Sequence, residues 1–216
     1  MRKCFLMSIF MLGLFLVSCQ EEDTYYSCDP DIDRWVKENL EEVQSINTET
    51  FRTFDVSHRL AIFNAISPEM RVEIWREKLT QTLNLNWNSA EREHIECLLT
   101  ILEEHVEWYD TGVPDEKKDE YEKLAYRWVD YAREELKWNK ELIAAIAATP
   151  MLLSNTKGDL MNNVSQTNVR RLKNGSENCT CNPVVSFCSP CSYTDCKQQN
   201  WGCGLLGLGI CNGTGC

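Results

Sequence analysis

Eight of the twelve cysteines in this 216-residue chain fall within its last 38 residues. A stretch that short cannot order itself through apolar burial, because ordering costs roughly 1.5 kcal/mol per residue. Crosslinks act on the unfolded side of that balance, each contributing about 2–4 kcal/mol. Cys179, Cys181, Cys188, Cys191, Cys196, Cys203, Cys211 and Cys216 form an even set. They read as four disulfides closed within a small C-terminal module over 179–216. Glycines at 202, 204, 207, 209, 213 and 215 supply its tight turns. Connectivity stays open, since eight cysteines allow on the order of a hundred pairings. Two other chemistries fit part of the pattern. Cys179-x-Cys181 with Cys188-x-x-Cys191 has ligands for zinc, but such thiolate sites favour reducing compartments. Cys188-Ser-Pro-Cys191 has the spacing of a redox pair, but no helix-forming run follows it to lower a thiol pKa.

The other end of the chain sets the compartment. Arg2 and Lys3 precede an apolar run of about thirteen residues from Phe5 to Val17, the pattern of a secretory signal. That run is shorter than the roughly 20 residues a membrane span needs. Leu16-Val17-Ser18-Cys19 resembles a bacterial lipobox. The expectation is a lipoprotein signal peptide over 1–18, with Cys19 as the first mature residue and the lipid anchor. Several acyl chains on one residue hold a protein to a membrane stably. Gln20-Glu21-Glu22-Asp23 opens an acidic tether over 19–28 and resembles a surface-export signal. The expected location is thus the bacterial outer membrane, lipid-anchored and surface-exposed, in an oxidising space where disulfides persist. Loss of Arg2 and Lys3 with the signal takes the formal charge from −11 to −13. So acidic a body argues against nucleic acid as a partner.

Residues 29–150 read as all-α. Asp29-Pro30 and Ser67-Pro68 each place a cap before a proline at the first helical position. Asn88 with Glu91 has the form of a capping box, and Asn139 that of a re-cap within a long helical region over 115–148. Apolar residues recur at helical spacing behind each start: Val36, Leu40 and Val43; Ile74, Trp75 and Leu79; Ile95, Leu98 and Leu102. The prediction is a five- or six-helix bundle, with the steps Tyr121–Trp128 and Tyr131–Trp138 packed in its core. Residues 151–178 are rich in Asn, Ser, Thr and Gly and read as a linker. Their Asn-x-Ser/Thr matches are chance in a bacterial lipoprotein.

His94 and His105 lie eleven residues apart, on one helix face with Glu91, Cys97 and Glu104. A metal or acid–base site can be drawn from them, but the spacing is common and HExxH is absent. No phosphate loop or nucleophile elbow stands out. The chain reads as non-enzymatic, with no cofactor and no metal. Cys28 and Cys97, outside the terminal set, read as a fifth disulfide or as two thiols.

One resemblance joins the two halves. Cys179-x-Cys181-x6-Cys188, Cys191-Ser192-Tyr193-Thr194 and Cys211-Asn212-Gly213 resemble the disulfide-rich bacteriocin fulvocin C. Cys28-Asp29 through Trp35-Val36, Ile74-Trp75-Arg76-Glu77-Lys78-Leu79 and Glu93-His94-Ile95 are similar to the bacteriocin fulvocin C-related lipoprotein family. Here Cys188 and Cys191 lie closer together than in the bacteriocin, and Cys211 and Cys216 farther apart. The resemblance implies a membrane-anchored bacteriocin-like lipoprotein whose knotted tail is the active end. Trp201 and the run Leu205–Ile210 would then meet a target-cell membrane or receptor, or form the knot's own core. The alternative is a non-toxic cell-surface binding lipoprotein.

Overall fold

A computed structural model of the chain describes residues 24–27, 29–110, 113–161 and 199–211. The expected signal peptide, Cys19 with the expected acidic tether beyond 24–27, most of the expected linker, Cys28, the cysteines from 179 to 196 and Cys216 lie outside them.

The described chain is mostly helical. Its α-helices are α1 (Pro30–Glu38), α2 (Leu40–Gln44), α3 (Thr48–Thr53), α4 (Val56–Ala65), α5 (Pro68–Leu83), α6 (Ser89–Glu104), α7 (Asp115–Glu134) and α8 (Lys140–Ala147). A 3-10 turn, Val106–Tyr109, follows α6. A short antiparallel ribbon of β1 (Gln199–Cys203) and β2 (Gly209–Cys211) closes the described chain.

The starts match the local chemistry. Asp29 accepts hydrogen bonds from the amides of Asp31 and Ile32, and Ser67 from Met70. Asn88 and Glu91 cap each other reciprocally, and Asn139 accepts from Leu142 at 2.8 Å.

Among the described residues eight α-helices replace the expected five or six, because two predicted segments break. Asn39 divides the first, turning its side chain back onto the Trp35 carbonyl at 2.8 Å. The long C-terminal segment stops after Glu134, where Lys137 takes a left-handed φ of 58° and the Trp138 amide reaches back to the Ala132 carbonyl. A left-handed residue cannot continue a right-handed helix, and here a lysine takes a conformation more usual for glycine. Between the two breaks lies the short helix α3, capped by the Asn47 side chain on the Thr50 amide.

α5 lies at the centre, packed on α6, on α3 and on the 106–109 turn. Ile74, Trp75 and Leu79 are fully buried there. So are the less expected polar side chains of Arg71, Lys78 and Thr82. Tyr121, Trp128 and Trp138 are buried as predicted, whereas Tyr131 is 47 % exposed.

The first eleven residues of the predicted linker, 151–161, are folded onto the helices. Met151 and Leu153 are buried, and Leu153 bridges to Leu160. Asn155 shapes the loop between them, accepting from the amides of Lys157 and Asp159. Gly158 turns with φ 93°, where an added Cβ would lie 3.2 Å from the Leu142 Cα. Composition pointed to a linker, but two buried apolar side chains and one Asn-nucleated turn suffice to hold this piece.

Candidate functional site

The described part of the cysteine-rich tail forms a plug in the helical core. Leu205, Leu206 and Leu208 are 0 %, 0 % and 8 % exposed. They belong to the same apolar cluster as Ile62, Phe63, Trp75 and Tyr109. The loop that carries them has its backbone carbonyls tied down. Tyr109 Oη donates to the Leu206 carbonyl at 2.6 Å, and Tyr121 Oη donates to the Leu205 carbonyl at 2.9 Å. Burial, with Tyr121 close by, pushes the Tyr109 phenol well above its ordinary value, so it remains a donor at any physiological pH. Leu206 sits at φ 55° and Gly207 at φ 66°. A Cβ on Gly207 would come 3.2 Å from the Phe63 ring, so both conformation and space call for glycine.

Tyr109 is itself held from below. Arg71, 4 % exposed, donates to the carbonyls of Phe63, Asn64 and Tyr109 at 2.8, 3.1 and 3.1 Å. Burial lowers its guanidinium to about 10, which leaves it charged. A buried cation therefore fixes the turn that fixes the tail. Lys78, fully buried, does the same for the chain after α8. Its Nζ donates to the Ala145 carbonyl at 2.7 Å and to the Met151 carbonyl. Burial, with Arg52 nearby, holds that amine well below its ordinary range.

Of the terminal cysteines, only Cys203 and Cys211 fall among the described residues, as backbone at the ends of β1 and β2. The register sets Cys203 across from Gly209 and Cys211 across from Gln199, so the two do not face each other. Cys97 is a free thiol on the exposed side of α6. Burial and the charge of Glu104 raise its pKa, which weakens it as a nucleophile.

The residues considered for a metal or acid–base site are engaged separately. Glu91 serves the α6 cap and accepts from Trp138 Nε1 at 3.1 Å. His94 stacks on Trp128 with centroids 4.5 Å apart. Its Nε2 lies 3.0 Å from the Trp128 carbonyl, while Trp128 Nε1 donates to the His94 carbonyl at 3.0 Å. A carbonyl only accepts, so Nε2 carries the proton; burial lowers the ring to about 4 and keeps it neutral. His105 ends α6 and stacks on Trp108 at 4.0 Å. Among the described residues no group of three or more His, Cys, Asp or Glu side chains is placed to hold a metal ion.

Grooves open on the helical domain among the described residues. One, about 330 Å³, runs between α6 and α7 past His94, Cys97, Leu124 and Tyr131. Another, about 600 Å³, lies between the start of α5 and the 106–109 turn. Neither was visible in the sequence, whose stripes mark only the inward faces. No described helix is long and apolar enough to cross a membrane. No family model, no curated protein and no solved structure matches this chain.

Proposed function

We propose that this chain is a lipid-anchored, non-enzymatic binding protein of the bacterial outer-membrane surface. Its helical domain carries the disulfide-rich tail in a fixed position rather than releasing it. Cys19 attaches it to the membrane, its acidic body keeps it off nucleic acid, and the terminal cysteines close on one another. The observation that carries this reading is the burial of Leu205, Leu206 and Leu208 in the helical core. Pulling three buried leucines into water costs about 5–9 kcal/mol at 1.5–3 kcal/mol each. That approaches the roughly 5–15 kcal/mol that holds a whole domain together. A toxin made to leave would not be rooted so deeply.

The cysteine spacing that resembles fulvocin C favours a second reading, a bacteriocin-like protein whose tail kills. The two separate in one experiment. A protease site placed between residues 162 and 178 is cleaved in the oxidised full chain. The products are then passed over a sizing column and applied to related and unrelated bacteria. Co-elution of tail and helical domain, with no killing, is the expected result. A tail that elutes alone and kills would establish the bacteriocin instead.

A further inference from the structure

The 600 Å³ groove beside α5 combines an apolar lining with acidic residues. Its floor is apolar, built from Pro68, Met70 and Val72 of α5 and from Val106. Val106 is 45 % exposed, one of few large hydrophobics so exposed among the described residues. Its rim is acidic, formed by Glu69, Glu73, Glu107 and Asp110. Among the described residues Arg76 is the one cation lining it, already paired with Glu73 and lying 3.5 Å from Glu103. Lys117 approaches Glu107 at 3.7 Å from α7 but lies nearer Glu120, at 3.1 Å.

Anions are poorly served here. The positive end of α5 is answered from within, by the Ser67 cap and by Glu69 in the first turn. A hydrogen bond from the Ser67 hydroxyl holds the Glu69 carboxyl below its usual range. Burial would raise Glu107, but its own backbone amide and His105 outweigh that and hold it low as well. Glu69 and Glu107 therefore stay ionised under neutral and mildly acidic conditions. Like charges around an exposed apolar floor repel one another, and a ligand bringing cations and apolar side chains relieves both costs.

We propose that this groove docks a short cationic segment of a partner polypeptide, one whose lysines or arginines flank aliphatic side chains. The aliphatic groups cover Met70 and Val106, and the cations meet the rim carboxylates. The assignment stands apart from the fate of the tail, whose plug uses Tyr109 and not the groove residues.

The test is fluorescence polarisation of a short labelled peptide of alternating lysine and leucine, on the full chain in non-ionic detergent micelles. Saturable binding should weaken at least about tenfold in Glu69→Lys/Glu107→Lys. The control reversal is Glu134→Lys/Glu135→Lys. α7 starts beside the groove and rises about 1.5 Å per residue, which puts Glu134 about 25 Å away, past the screening length. That control should change binding by less than about twofold. Val106→Asp should also weaken binding, although it adds negative charge. Circular dichroism confirms that each variant is folded. The proposal fails if both charge reversals act equally, which would mean diffuse attraction by an acidic body. It fails equally if a lysine–serine peptide binds as tightly, if Val106→Asp has no effect, or if binding does not saturate.

Discussion

Truncating Leu206 to alanine asks whether the tail belongs to the helical core. The side chain is fully buried among helix residues although it stands 97 positions from Tyr109, whose hydroxyl its carbonyl accepts. Deleting most of a buried leucine costs about 2–5 kcal/mol, the lost transfer energy plus the cavity left behind. Alanine keeps a Cβ, so the cost of about 1–2 kcal/mol for a left-handed residue is common to both and cancels. Taking about 3 kcal/mol and a urea dependence near 2 kcal/mol per molar, the unfolding midpoint should fall by about 1.5 M. The signal to follow is far-UV circular dichroism, which reports the helices and not the ribbon. Leu206→Gly supplies a second check. It loses the same burial but relieves the φ of 55°, so it should be no worse than alanine, the reverse of the usual order. A midpoint for Leu206→Ala within about 0.2 M of the parent would refute the plug. The tail would then rest against the helices without sharing their core.

Lys78→Ala leaves two buried carbonyls without their donor and a cavity in α5, and should cost about 3–5 kcal/mol by urea titration. The buried amine of Lys78 sits well below its ordinary 10.5, so the unfolded chain binds a proton that the folded chain resists. Stability should therefore rise with pH between the folded value and 10.5, a slope that Lys78→Met removes; an unchanged slope would contradict the assignment. His94 follows the same sign, with a folded value of about 4 against an ordinary 6.5. Lowering pH from 6.5 to 4 should cost about 1–3 kcal/mol, allowing for water in the adjoining groove, and His94→Gln should flatten that loss. Metabolic labelling with palmitate should mark the protein. Cys19→Ala should abolish the label and leave the precursor uncleaved, whereas normal maturation of that variant would mean an ordinary signal peptide.

Helix starts were legible because they are local. Asp29, Ser67, Asn88 and Asn139 each cap a helix through an amide two or three residues away, and such contacts survive whatever the rest of the chain does. Apolar spacing likewise marked Val36, Ile74, Leu79, Ile95 and Leu98 as inward-facing. The stop near Lys137 was less visible, since only the fold makes a lysine accept a glycine conformation. Charge patterns misled in the interior. Arg71 and Lys78 look like solvated residues of an amphipathic helix, and their partners lie 38 and 73 positions away at Tyr109 and Met151. The leucines after Gly204 read as a target-facing patch or as the core of a separate knot, because nothing nearby in sequence could cover them. Their cover is Tyr109, Tyr121 and Phe63, brought there by α4, α7 and the turn after α6. Local hydrogen bonds and periodicity depend on neighbours along the chain, so residue order alone determined the capped helix starts and the inward-facing stripes. Burial depends on neighbours in space, so only the tertiary structure decided which cations go inside, where the tail is rooted and which acidic face lies over an open apolar floor.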